Sequence, residues 1–150
     1  MNINWAHVHL MINHFPVLGV PGAILLLSYG LLRKSDEIKT LSFGVIVLVA
    51  LLTIPVYLTG GEAAKAVKDL PGVTEAFVGR HEELAGLALV LIEVLGVMAL
   101  AGLFLLRRSG SIPRWLVLLV LAASLVTAAV TGFTANLGGE IRHTEIRGKG

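Results

Sequence analysis

Residues 41–61 of the chain read LSFGVIVLVALLTIPVYLTGG and contain no charged side chain. A helix needs about 20 mostly apolar residues to cross a hydrocarbon core of about 30 Å. Because lipid offers the backbone no hydrogen-bond partner, such a segment bonds within itself as a helix. The stretch therefore predicts a membrane-spanning helix and indicates the fold class.

Three further apolar stretches accompany this one. Residues 15–32 and 115–139 are uncharged, and residues 84–106 carry only Glu93. A hydrophobic content of 55% and a mean hydropathy of +0.84 agree with a membrane protein. We therefore predict an all-α fold, a transmembrane four-helix bundle that forms one domain over residues 1–150. The predicted spans cover about residues 10–32, 41–61, 80–106 and 114–138.

The ends of the spans repeat. LLRKS at 31–35 is matched by LLRRS at 105–109, an offset of 74, and GGE at 60–62 is matched by GGE at 138–140, an offset of 78. Since alternate spans run in the same direction, this pattern predicts two parallel-repeated helical hairpins, related by a pseudo-two-fold axis along the membrane normal. The first offset makes His7 and His81 symmetry mates.

The charges of the short loops predict the orientation. The positive-inside rule counts bases in short loops near the span ends, and the first and third loops hold six bases against two acids. These loops are therefore expected in the cytoplasm, with both termini in the periplasm of a bacterial inner membrane. The net charge of +2 does not indicate nucleic-acid binding. The six bases are Arg33, Lys34, Lys39, Arg107, Arg108 and Arg114.

All five histidines fall on the outer side in this arrangement. His7, His9 and His14 lie near the start of the first span, His81 near the start of the third, and His143 just past the fourth. Imidazole handles protons and holds metals or haem iron. We expect a site with His7, His14, His81 and His143 as cofactor or metal ligands. His9 points to a different helix face from His7 and His14, so it is expected to be the least suitable ligand.

Three charged residues complete the candidate set. Arg80 next to His81, and Arg142 next to His143, are candidates to pair with the carboxylates of a cofactor. The alternative, favoured for each residue alone, is that they are ordinary interfacial anchors. Glu93 lies within the third span, where an ionisable group indicates function by default. The favoured interpretation is a protonated carboxyl that hydrogen-bonds within the bundle; the functional alternative is a proton relay or ion contact.

Three functions fit these residues. The first is a b-type haem protein that transfers electrons near the periplasmic face, with His7 and His81 as the leading axial pair. Haem b needs no cysteine, and the chain has none. The second is a copper or zinc site of histidines and carboxylates. The third is a structural or assembly subunit without a cofactor. Expected partners are the lipid bilayer, periplasmic electron carriers, a larger membrane complex or further copies of the chain.

An independent enzymatic role is not indicated. No serine or threonine stands in a nucleophile motif beside the histidines, and a cysteine nucleophile is absent from the sequence. An electron carrier or subunit is therefore the favoured class.

Three motifs resemble an uncharacterised family of small bacterial four-span inner-membrane proteins. They are NHFPVLG at 13–19, GRHEELAG at 79–86 and TANLGGEIRHTEI at 134–146. The His-Phe-Pro at 14–16 and the Gly-Gly-Glu…Arg-His at 138–143 are the most specific parts. The resemblance covers nearly the whole chain and implies the four-helix fold and the inner-membrane location, but no activity.

Overall fold

A computed structural model describes residues 4–143 as five α-helices with no strand among them. Residues 144–146, at the end of the C-terminal motif, lie outside this range. Because α1 and α2 form one apolar segment, the helices provide four spans, each long and apolar enough to cross a membrane. The predicted all-α bundle is confirmed. The helices are α1 (Trp5–Ile12), α2 (His14–Leu32), α3 (Asp36–Val67), α4 (Glu75–Ser109) and α5 (Arg114–Arg142).

The four spans pack in a closed ring. The α2 helix contacts α3 and α5, and α4 also contacts both α3 and α5, while α1 packs mainly on α3. Leu27, Phe43, Ala99 and Val120 are fully buried at the centre. Large apolar side chains such as Leu25 remain exposed on the outside, where lipid tails are as apolar as leucine.

A proline explains the break between α1 and α2. Pro16 has no N–H to donate to the carbonyl of Ile12, and its ring crowds that carbonyl. The helix is therefore interrupted at Asn13. The N–H of Asn13 still donates to the carbonyl of His9 at 2.9 Å. This contact keeps one helical turn between His9 and Asn13, so both side chains lie on the same face.

The internal repeat is visible in the pattern of burial. In the first span the buried residues are Pro16, Val20, Ala23, Leu27 and Gly30. A shift of 72 residues places all five on buried positions of α4, whereas a shift of 74 places all five on exposed ones. The buried partners are Ala88, Ile92, Leu95, Ala99 and Gly102.

The second pair of spans follows the offset of 78. Four buried residues of α3 fall on buried residues of α5 at this shift. The two hairpins are therefore repeated in parallel, as predicted. The pairs are Ser42 with Val120, Ile46 with Ser124, Val49 with Thr127 and Thr53 with Thr131.

The offset of 74 for the first and third spans is wrong. It matched the two apolar-to-basic boundaries, but α4 continues for seven residues beyond its last buried residue, Gly102, whereas α2 continues for only two beyond Gly30. Two helices with matching apolar-to-basic boundaries therefore need not have their buried faces at matching positions. With the offset of 72, the symmetry mate of His81 is His9 and not His7.

Candidate functional site

His9 joins α1 to α3 at the end of the bundle that carries the connection between α3 and α4. Its Nδ1 atom lies 3.0 Å from the carbonyl oxygen of Val56 and 3.2 Å from the hydroxyl oxygen of Thr59. A Cβ added at Gly60 would lie 3.6 Å from Cε1 of the ring. The imidazole therefore packs directly on the α3 backbone, at a position without a side chain.

His81 makes the equivalent contact between α4 and α5. Its Nδ1 atom lies 3.0 Å from the carbonyl oxygen of Thr134. A Cβ at Gly138 would lie 3.0 Å from Cε1 of the ring. Thr134 and Gly138 are the offset-78 mates of the α3 residues that His9 contacts. The pseudo-two-fold axis thus relates two complete histidine–carbonyl–glycine units.

The hydrogen bonds determine the tautomer of both rings. A carbonyl oxygen can only accept, so Nδ1 of His9 and Nδ1 of His81 each carry the proton. In a neutral imidazole the lone pair is then on Nε2. The Nε2 atom of each ring can then donate its lone pair to a ligand.

Asn13 adds a polar atom on the same face, one turn deeper than His9. Its Oδ1 atom is buried and has no hydrogen-bond partner among the described residues. The offset of 72 pairs Asn13 with Ala85, a small residue one turn deeper than His81. A ligand or water beside the axis could satisfy the amide, because a buried polar group is costly when unpaired.

His7 and His14 are not brought to this pair. Both side chains are exposed, and the backbone N–H of His7 bonds to the Asn4 side chain at the start of α1. His143 follows the last residue of α5 and is also exposed; its N–H donates to the carbonyl of Gly139 at 2.9 Å. The repeat therefore pairs His81 with His9 and not with His7, while the ligand roles expected for His7, His14, His81 and His143 stay predictions.

Neither arginine nor Glu93 hydrogen-bonds to His9 or His81. The Arg80 guanidinium lies 5.3 Å from the centroid of the Phe77 ring, and Arg142 is exposed in the last turn of α5. Glu93 is partly buried in α4, and its Oε1 atom has no hydrogen-bond partner within residues 4–143. Its repeat mate is Pro21.

Room for a ligand is limited inside the packed bundle. A central void of about 10 Å³ beside Ser124 has the size of one water molecule. A larger groove of about 310 Å³ lies on the outside, between α1 and α3. Among residues 4–143, no group of three or more histidine, aspartate or glutamate side chains is placed to hold a metal ion. The groove is lined by Trp5, Pro55, Leu58, Thr59 and Glu62.

Sequence reasoning missed His9, Asn13 and Thr59. The available signal was the repeated Gly-Gly-Glu, because its first glycine, Gly60 or Gly138, is the one that faces a histidine ring in each half. Comparison of the chain with protein-family models, with curated proteins and with solved structures found no match. The resemblance to the four-span bacterial family stays a prediction.

Proposed function

We propose that the chain is a membrane b-type haem protein and that His9 and His81 are its axial ligands. One observation carries the proposal: each Nδ1 is bonded to a backbone carbonyl in the same two-fold arrangement. Metal-bound histidines almost always donate the second ring N–H in this way, which orients the ring and strengthens Nε2 as a donor. Haem b needs only axial side chains and an apolar slot between helices.

The hydrogen bonds of the two histidines suit a ligand between the hairpins. His9 bonds to α3 within the first hairpin, and His81 bonds to α5 within the second. If the two hairpins separate at their outer end to admit a ligand, the Nδ1 hydrogen bonds of His9 and His81 therefore both remain. Gly138 lets the His81 ring stay close to the α5 backbone, and the unpartnered Oδ1 of Asn13 suits a polar contact.

The residues of the chain perform the binding, and a bound haem supplies one-electron redox chemistry. His9 and His81 would hold the iron, and the carbonyls of Val56 and Thr134 keep both rings in the required tautomer. Arg80 and Arg142, near the outer ends of α4 and α5, supply cations for the two carboxylates of the cofactor.

The location of the site suggests its electron partners. The bases of the first and third loops favour a cytoplasmic position for those loops, so the histidines face the periplasm of a bacterial inner membrane. Electrons then pass to or from periplasmic carriers or a larger membrane complex. The chain acts as an electron carrier or subunit, and no catalytic residue is assigned.

An absorption spectrum of protein purified without a His-tag tests the proposal. We expect a Soret band, sharper visible bands after reduction, and about one haem per chain. Elemental analysis of the same sample tests the copper or zinc alternative. A full equivalent of either metal without a Soret band would overturn the haem proposal. Absence of every cofactor, after expression with adequate haem, would favour the structural subunit.

A further inference from the structure

We propose that Thr59 is a positioning residue that orients the imidazole of His9 and makes the two halves of the site unequal. The effect on redox properties rests on the proposed haem function, but the effect on the ring does not. Thr59 is 7% exposed, and its hydroxyl oxygen lies 3.2 Å from Nδ1 of His9. Thr59 therefore contacts the same ring nitrogen as the Val56 carbonyl.

The direction of these hydrogen bonds follows from the available hydrogens. The Thr59 hydroxyl lies 2.8 Å from the carbonyl oxygen of Pro55 and 3.0 Å from that of Val56. Since both carbonyls accept, the hydroxyl hydrogen points to one of them, and its oxygen is left to accept. The Nδ1 hydrogen of His9 is then shared between a carbonyl oxygen and a hydroxyl oxygen.

The second half of the repeat lacks this contact. The offset of 78 places Leu137 at the position of Thr59, and leucine has no hydrogen-bonding side chain. Thr134 contributes its carbonyl to His81, while its hydroxyl donates to the carbonyl of Val130 at 2.8 Å. His81 therefore has one acceptor at Nδ1 where His9 has two.

A second acceptor has two physical consequences for His9. It restricts rotation of the ring, and it increases the negative character of the imidazole, which strengthens Nε2 as a donor to a metal. A stronger donor favours the oxidised metal, so Thr59 is expected to lower the midpoint potential of a bound haem. Loss of such an outer contact typically weakens metal affinity about 10–100-fold.

A matched pair of substitutions tests the assignment. T59V removes the hydroxyl beside His9 at nearly constant volume, and T134V makes the same change beside His81 without removing the carbonyl that His81 uses. Nitrogen-15 NMR of histidine-labelled protein in bilayers reports the Nδ1–H group directly. We expect the His9 signal to move in T59V and to stay in place in T134V and in T59S, which retains the hydroxyl.

Haem-loaded protein gives the second readout. The midpoint potential is expected to rise in T59V and to fall in L137T, which introduces the missing hydroxyl beside His81. If T59V and T134V give the same His9 signal and the same potential, Thr59 has no positioning role. If the wild-type chain binds no haem, the haem proposal fails, while the NMR comparison still decides the role of Thr59.

Discussion

His9 and His81 are equivalent under the pseudo-two-fold axis, because each Nδ1 lies 3.0 Å from a carbonyl oxygen of the span that follows it. The two histidines are carried by parallel spans and bonded to different hairpins. Because the two partly buried imidazoles are equivalent, we treat them as one candidate ligand pair. Their equivalence also provides internal controls, since a change in one half can be compared with its mate in the other.

The two glycines at the histidine rings are expected to respond differently to alanine. In G138A the new Cβ would lie 3.0 Å from Cε1 of His81, so the ring must move away and its bond to Thr134 weakens. In G60A the distance to His9 is 3.6 Å, an ordinary contact. We expect at least about tenfold weaker haem retention in G138A, and wild-type retention in G60A. Equal retention, measured by haem transfer to an apo-acceptor protein, would contradict this assignment.

The glycines of the bundle core control helix spacing. A Cβ at Gly102 would lie 2.7 Å from Cδ1 of Phe43, which is fully buried and cannot retreat easily. We expect G102A to destabilise the bundle by about 1–3 kcal/mol. G22A is the control, because a Cβ at Gly22 meets nothing within 4 Å. Unfolding in mixed micelles measures both variants, and a G102A protein as stable as G22A would show that the spans can separate freely.

Glu93 offers a separate test of its role. Its Oε1 atom is buried without a partner in the described part of the chain. Since an unsatisfied buried polar atom is costly, E93L is expected to stabilise the bundle by about 1 kcal/mol, whereas E93Q should change stability little. Thermal unfolding in detergent compares the two variants. A clear loss of stability in E93L would mean that the carboxyl has a partner, as an ion or proton-relay site requires.

The orientation of the chain in the membrane can be measured with single introduced cysteines, because the sequence contains no cysteine of its own. We expect a cysteine at Ser111, in the loop between α4 and α5, to be protected from an impermeant maleimide in intact cells. A cysteine at Gly72, between α3 and α4, should react. Labelling after cell lysis shows that both cysteines are reactive in principle. The reverse pattern would place the histidine pair on the cytoplasmic side.

The number and class of the spans followed from composition. Uncharged stretches such as residues 41–61 have the length that a bilayer requires, and lipid leaves the backbone no alternative to a helix. The helices extend beyond the predicted spans, α3 for instance over Asp36–Val67. Polar residues at the ends of a helix still form backbone hydrogen bonds outside the hydrocarbon core, and hydropathy does not detect that extension.

The candidate pair could not be predicted from the same pattern. His7 and His9 are two residues apart, so an error of two in the offset exchanges an exposed ring for a partly buried one. The motif at 31–35 indicates where the first span leaves the membrane. The buried residues of α2 instead indicate which face of the helix packs inward. Only packing distinguishes the two, because many apolar residues of a membrane helix face lipid.

The spin state of the haem iron in single-histidine variants tests the central claim most directly. We expect wild-type protein, H7A and H14A to share a low-spin spectrum with both axial positions filled. H9A and H81A should each lose an axial ligand and become high-spin or lose haem. A low-spin spectrum that persists in H9A or H81A, or that disappears in H7A, would contradict the assignment of His9 and His81 as the ligand pair.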